Sequence, residues 1–102
     1  MVIFMVEAAY PLDWIKQLFQ RKRWIVTMTA ENSALNLGLD DEDIFDCVVN
    51  YLSETHFYKT MPAEKKTGLM QDVYRITYKT HRIYLKLQVA NDWAVVISFK
   101  EE

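Results

Sequence analysis

The period of the apolar residues changes once along this chain, near Phe57, and that change constrains the fold more than any other feature. Before it, apolar residues recur at helical spacing. Pro11 can open a helix at its first turn, and Leu12, Ile15, Leu18 and Phe19 follow on one face. Arg21 to Arg23 sit where the end of a helix favours cations. Trp24 to Met28 is bulky or β-branched and predicts a short strand. Thr29 is the expected cap of a short helix running through Ala34 and Leu37, stopped by Gly38. Asp40 caps the clearest helix. Asp41, Glu42 and Asp43 fill its first turn, and Ile44, Phe45, Val48, Val49 and Leu52 form its buried stripe.

From Phe57 onward the period is two. Phe57 to Met61 reads as a strand, and Pro62 to Gly68 as a polar loop carrying Lys65 and Lys66. Gln71 to Tyr78, Arg82 to Val89 and Trp93 to Phe99 read as three antiparallel strands joined by tight turns. Helices followed by a meander predict an α+β fold, an antiparallel sheet with helices packed on one face. The 102 residues fit a single domain.

Register decides which side chains are available for function. A three-residue turn at Ala90 to Asp92 pairs Val89 with Trp93, Leu87 with Val95, Leu85 with Ile97 and Ile83 with Phe99. All eight then share the core face. The other face carries Tyr84, Lys86 and Gln88 beside Ala94, Val96, Ser98 and Lys100. In this register Lys100 faces Arg82 and lies diagonal to Tyr84. Pairing Tyr78 with Ile83 puts Gln71 opposite Ala90, six residues and roughly 20 Å along the strand from Tyr84.

Composition excludes several classes. A hydrophobic fraction of 51% with two Gly and two Pro excludes disorder and low complexity. One cysteine, Cys47, excludes an internal disulfide, and with His56 and His81 it makes no evident zinc constellation. Met1 to Val6, the longest N-terminal apolar stretch, is too short for a signal core or a membrane span, so a cytoplasmic protein without membrane attachment is expected. The formal net charge of −2 argues at first against a polyanion partner. The average hides a split. Residues 1–57 hold four basic and nine acidic side chains, whereas residues 58–102 hold eight basic and five acidic ones. A local positive field of that kind steers polyanions.

No Gly-rich phosphate loop and no nucleophile elbow occurs. What remains is a sheet face of Lys, Arg, Tyr and Gln. That inventory suits RNA cleavage, because the 2′-OH can attack its own neighbouring phosphate. The protein need only orient the strand, neutralise developing charge and move two protons.

The chain resembles the MqsR (motility quorum-sensing regulator) family of type II toxin–antitoxin toxins. The matching strings are Leu37-Gly38-Leu39-Asp40, Phe57-Tyr58-Lys59-Thr60-Met61, Gln71-Asp72-Val73-Tyr74-Arg75, Ile83-Tyr84-Leu85-Lys86 and Ile97-Ser98-Phe99-Lys100-Glu101. The resemblance implies a RelE-like fold and a metal-independent mRNA endonuclease without cofactors. It also implies cutting at short sites around GC dinucleotides, growth arrest, and a DNA-binding antitoxin as partner. The family's proposed active-site positions fall on Lys59, Gln71, Tyr84 and Lys100, flanked by Tyr58 and Met61 as RNA contacts. Arg75, Arg82 and Lys86 are expected to hold flanking phosphates. Ala8-Ala9-Tyr10-Pro11 stands where the family has a Pro-His pair, and residues 1–8 read as an atypical extension. The alternative is a non-catalytic module that keeps an antitoxin interface and acts in transcriptional autoregulation. Four intact site residues favour the enzyme.

Overall fold

A computed structural model describes residues 7–102. The first six residues of the expected N-terminal extension lie outside that range. Three helices come first: α1 (Leu12–Gln20), α2 (Met28–Asn36) and α3 (Asp41–Asp46), with β1 (Trp24–Val26) between the first two. Four strands follow, β2 (Phe57–Pro62), β3 (Met70–Tyr78), β4 (His81–Ala90) and β5 (Trp93–Glu101). The sheet order is β1-β5-β4-β3-β2, antiparallel throughout except that β1 runs parallel to β5.

Local chemistry explains the helix ends. Pro11 precedes α1, which buries Leu12, Ile15, Leu18 and Phe19. Lys22 turns left-handed at φ 61°, and the Arg23 N–H closes onto the Leu18 carbonyl at 2.8 Å. The α2 cap is Thr27, not Thr29. Its backbone is extended, and its hydroxyl accepts from the Ala30 N–H at 3.1 Å, which draws the helix start two residues upstream. Gly38, at φ +77°, ends that helix as its composition predicts. Asp40 and Asp43 form a reciprocal capping box at 3.0 Å in each direction. Past Asp46 the helix widens into one π-turn, Cys47–Tyr51, closed by the Leu52 N–H on the Cys47 carbonyl.

Helices and sheet share one core. Ile15, Phe19, Ile44 and Val48 meet Tyr74, Ile83, Leu85, Leu87, Val96 and Phe99 there. The N-terminal segment is pinned to β3 from this side. Asp72, fully buried, accepts the Ala9 and Tyr10 N–H groups at 2.9 Å each, and the Tyr10 hydroxyl donates to the Met70 carbonyl. Burial and the nearby Asp72 and Glu54 carboxylates push the Tyr74 phenol up to about 12. The β3–β4 turn is tied to α3: Tyr78 donates to Asp43 and Asp46, and Lys79 bonds Asp43 at 2.7 Å. The Lys79 bond holds the Asp43 carboxyl below its usual range.

Both hairpins turn on two residues, where sequence parity expects three between Val89 and Trp93 and four between Tyr78 and Ile83. Lys79-Thr80 and Asn91-Asp92 are all left-handed, as two-residue turns of the primed type require. The second turn pairs Ala90 with Trp93, Val89 with Ala94, Gln88 with Val95 and Leu87 with Val96. Trp93, Val95 and Ile97 therefore leave the core face to which sequence parity assigns them, and Ala94 and Val96 take their place. Trp93 is 39% exposed and lies under the Arg23 guanidinium. A β-bulge at Ile97 then shifts the ladder, so Lys86 faces Ser98, Leu85 faces Phe99 and Tyr84 faces Lys100. Lys100 is thus directly opposite Tyr84, not opposite Arg82. The first turn pairs Tyr78 with His81 and Asp72 with Leu87. This sets Gln71 against Gln88, not Ala90, and shortens its separation from Tyr84 to about 13 Å along the strand.

Candidate nucleic-acid interface

The face of the sheet away from the helices can be read as rows of side chains crossing the strands. The register places Lys100, Tyr84 and Arg75 in one row, from β5 across β4 to β3. The next row holds Ser98, Lys86, Val73 and Lys59, and reaches β2. A third holds Val95, Gln88, Gln71 and Met61. At the other end Glu102 meets Arg82, its N–H bonded to the Arg82 carbonyl at 2.8 Å. Neighbouring strands lie about 4.8 Å apart and rows about 6.6 Å apart.

Tyr84 is the centre. The Lys100 ammonium lies 5.1 Å from its ring centroid and the Lys86 ammonium 5.8 Å. Among the described residues its hydroxyl makes no hydrogen bond, which leaves it available to a ligand. A second cation–aromatic group adjoins. The bulge between Phe57 and Lys59 gives Tyr58 room to lie against the Arg75 guanidinium at 4.6 Å, and the Lys59 ammonium is 5.5 Å from the same ring. Tyr58 is half exposed. The face offers two rings, three ammoniums and a guanidinium within four strands, an arrangement suited to stacking bases and holding phosphates.

The sequence-expected residues thus do not all fall together. Tyr84, Lys86, Lys100, Arg75 and Tyr58 come together. Lys59 stands about 12 Å from Tyr84 between Cα atoms, two strands and one row away, within reach of a lysine bridging to a shared phosphate. Gln71 and Met61 lie in the third row, away from Tyr84, with Gln71 buried to 8% exposure. Arg82 is at the far end. Arg75 and Arg82 both bind the Glu102 carboxylate, Arg82 at 3.5 Å. The bonded carboxylate raises the Arg75 pKa above its ordinary value.

Three features escape sequence reasoning. Sequence parity puts Gln88 on the open face but not against Gln71, yet its amide oxygen accepts the Gln71 Nε2–H at 3.1 Å. No residue of Lys79-Thr80 signals the two-residue turn that places it there. Glu102 occupies the arginine pair, a role that no charge count reveals. The loop bearing Lys65 and Lys66 lines a depression beside Gln71 and Gln88. Cys47 is enclosed in the core, where burial pushes its thiol up to about 12, far from nucleophile chemistry. No helix among the described residues is long and apolar enough to cross a membrane.

Comparison with known proteins gives the family. The chain is 35% identical to the mRNA interferase toxin MqsR of Escherichia coli (strain K12) over 91 residues, covering 89% of this chain and 91% of that protein. A family model described as "Motility quorum-sensing regulator, toxin of MqsA" matches residues 7–101, and so takes in the N-terminal helices as well as the sheet. The chain belongs to the motility quorum-sensing regulator family of toxins.

Proposed function

We propose that this chain is an mRNA interferase, an RNA endonuclease that uses the open sheet face and is restrained by an antitoxin. The observation that carries this reading is the placement of Tyr84 between Lys86 and Lys100 on a cationic face. The E. coli relative, an mRNA interferase toxin, supports it. In the reaction the 2′-OH loses its proton and its oxygen attacks the adjacent phosphorus. The bond from phosphorus to the 5′-oxygen breaks, and that oxygen takes up a proton. The products are a 2′,3′-cyclic phosphate and a 5′-OH. Lys59 and Lys100 hold the scissile phosphate, neutralise the charge that develops on it and share the proton transfers. Tyr84 stacks on a base beside the cut or passes a proton through its hydroxyl. Gln71, with Met61 and Tyr58, orients the strand, and Arg75, Arg82 and Lys86 hold flanking phosphates. GC-containing cleavage sites and cytoplasmic action on messenger RNA complete this reading. A DNA-binding antitoxin would cover the toxin.

The test is cleavage of a defined RNA by purified chain in excess EDTA. Cyclic-phosphate and 5′-OH ends at unchanged rate are expected, and growth arrest on induction should accompany them. A Lys59→Ala control should lose both. Intact RNA, or cleavage only with added metal ion, would overturn the reading.

The Glu102 clasp bears on this activity. A carboxylate on Arg75 and Arg82 competes with substrate phosphate for the same donors. Glu102→Gln is expected to tighten RNA binding by a few fold at low salt and to steepen the salt dependence by about one to two counterions. Fluorescence anisotropy across a salt series measures both. An unchanged slope would show that the arginines do not reach phosphate.

A further inference from the structure

The third row of the open face ends in a depression of about 500 Å³, a size typical of small-molecule sites. Gln71 and Gln88 form its floor, and Lys65, Lys66, Lys86 and Thr29 stand in its walls. Among the described residues the only acid in the lining is Glu64. The two floor amides are hydrogen-bonded to each other, which fixes both side chains. One such bond uses one oxygen and one N–H. Whichever amide donates, the pair keeps one carbonyl oxygen and one NH2 group over. Among the described residues these make no other side-chain hydrogen bond, and no unpartnered side-chain nitrogen or oxygen is sealed from solvent. The unused acceptor and donor therefore open on the depression. Fixed side by side in a nearly buried floor, they match the paired donors and acceptors of a nucleobase edge. Three lysines around them match the phosphates on either side of that base.

We propose that this depression is a nucleotide subsite, in which the Gln71–Gln88 amide pair reads the edge of one base flanking the cut. The inference rests on the RNA-cleaving reading and assigns part of its sequence preference. Distance sets the location. Gln88 is four residues from Tyr84 on β4, about 13 Å, and Lys86 lies midway between them. The base read here is one that flanks the cleaved bond, and Lys86 bridges the two positions. Gln71 then acts by discrimination, and not on the reacting atoms.

The experiment uses the full chain and an eight-nucleotide random RNA pool, 2′-O-methylated so that it cannot be cut. The pool is bound to immobilised protein and the retained sequences are read, for the natural chain and three variants. The natural chain is expected to favour particular bases at one or more positions. Gln88→Leu, which keeps bulk and removes the amide, should reduce discrimination at one position by at least about tenfold and spare the others. Gln88→Glu can still accept from Gln71 but presents an acceptor in place of a donor, and should change which base is preferred at that position. Lys65→Ala with Lys66→Ala, in an exposed loop, should weaken binding evenly without altering preference. Circular dichroism checks that each variant folds, and Gln88→Glu with the double lysine variant decides the matter if Gln88→Leu does not fold. Unaltered preference in the Gln88 variants, or no preference in the natural chain, overturns the subsite. Unmodified RNA is assayed in parallel. Base-selective binding that depends on Gln88 but leaves unmodified RNA intact would refute the endonuclease and uphold the subsite. Normal cleavage with Gln88-independent preference would do the reverse.

Discussion

Lys100→Ala is expected to lower single-turnover RNA cleavage by about 10²- to 10³-fold, the usual effect of removing one charge-stabilising donor from a reaction centre. Lys100 is exposed on β5, its ammonium packs over the Tyr84 ring, and it fills no part of the core. Its loss should therefore leave the unfolding free energy within about 0.5 kcal/mol of the natural chain. A combined fall in rate and stability would mean that the strand had been disturbed rather than the chemistry. Tyr84→Phe separates two roles at the same centre. It keeps a ring for stacking and removes the hydroxyl. A loss of about 10²-fold or more would assign proton transfer to that hydroxyl, and near-natural activity would assign stacking. If Lys100→Ala cut RNA at the natural rate, the reaction centre would have to lie elsewhere on the face.

Asp72→Ala should have the largest effect on stability, a loss of about 3 kcal/mol. The carboxylate is fully buried and receives two backbone N–H groups at 2.9 Å, from Ala9 and Tyr10. Hydrogen bonds to a charged group contribute about 1.5–3 kcal/mol each, and removing their acceptor leaves the donors unpaired. Asp72→Asn does little better, since an amide can offer only one acceptor oxygen to two donors. Urea unfolding measures the difference as a shift in midpoint. A shift below about 1 kcal/mol would show that the N-terminal segment docks without this carboxylate. Asp72 adjoins Gln71 on β3, so the variant also tests whether a loosened N-terminal segment reaches the open face.

Much of the fold could be read from the chain. Apolar spacing marked α1, the Asp40 cap marked α3, and alternation marked the four long strands, because burial of one face imposes those periods directly. Thr29 is the cap that the sequence suggests and Thr27 the one that the fold uses, because β1 stops at Val26 and leaves the Thr27 hydroxyl free to accept from Ala30. The parity of β5 misled for a physical reason. Trp93, Val95 and Ile97 are as apolar as core residues, and a three-residue reading of Ala90 to Asp92 hides the two-residue turn that Asn91 and Asp92, both tolerant of left-handed backbone, close, leaving Trp93 beneath Arg23. Pairing also hid the parallel edge strand, which depends on where β1 lands after α1 rather than on its own three residues. Tyr84 and Lys100 could be placed together even with the register one step off, because long side chains span a diagonal pair. Gln88 could not, because an amide shows its use only against the partner that register supplies.

The extra residue at Ile97 works as a phase shifter between two requirements. Ala94 and Val96 keep even-numbered positions inward, and after the bulge Phe99 lies inward at an odd one. Had the ladder run on without it, Leu85 would face Ser98, Tyr84 would face Phe99 and Ile83 would face Lys100. A hydroxyl and an ammonium would point into the hydrocarbon interior, and a phenyl group would sit where the second cation beside Tyr84 now stands. One residue of slack in β5 thus reconciles a greasy side and a charged side that the strand could not otherwise serve together. Changes that heal this irregularity would injure both faces at once, so the core and the open face are bound to vary as a unit along the last strand.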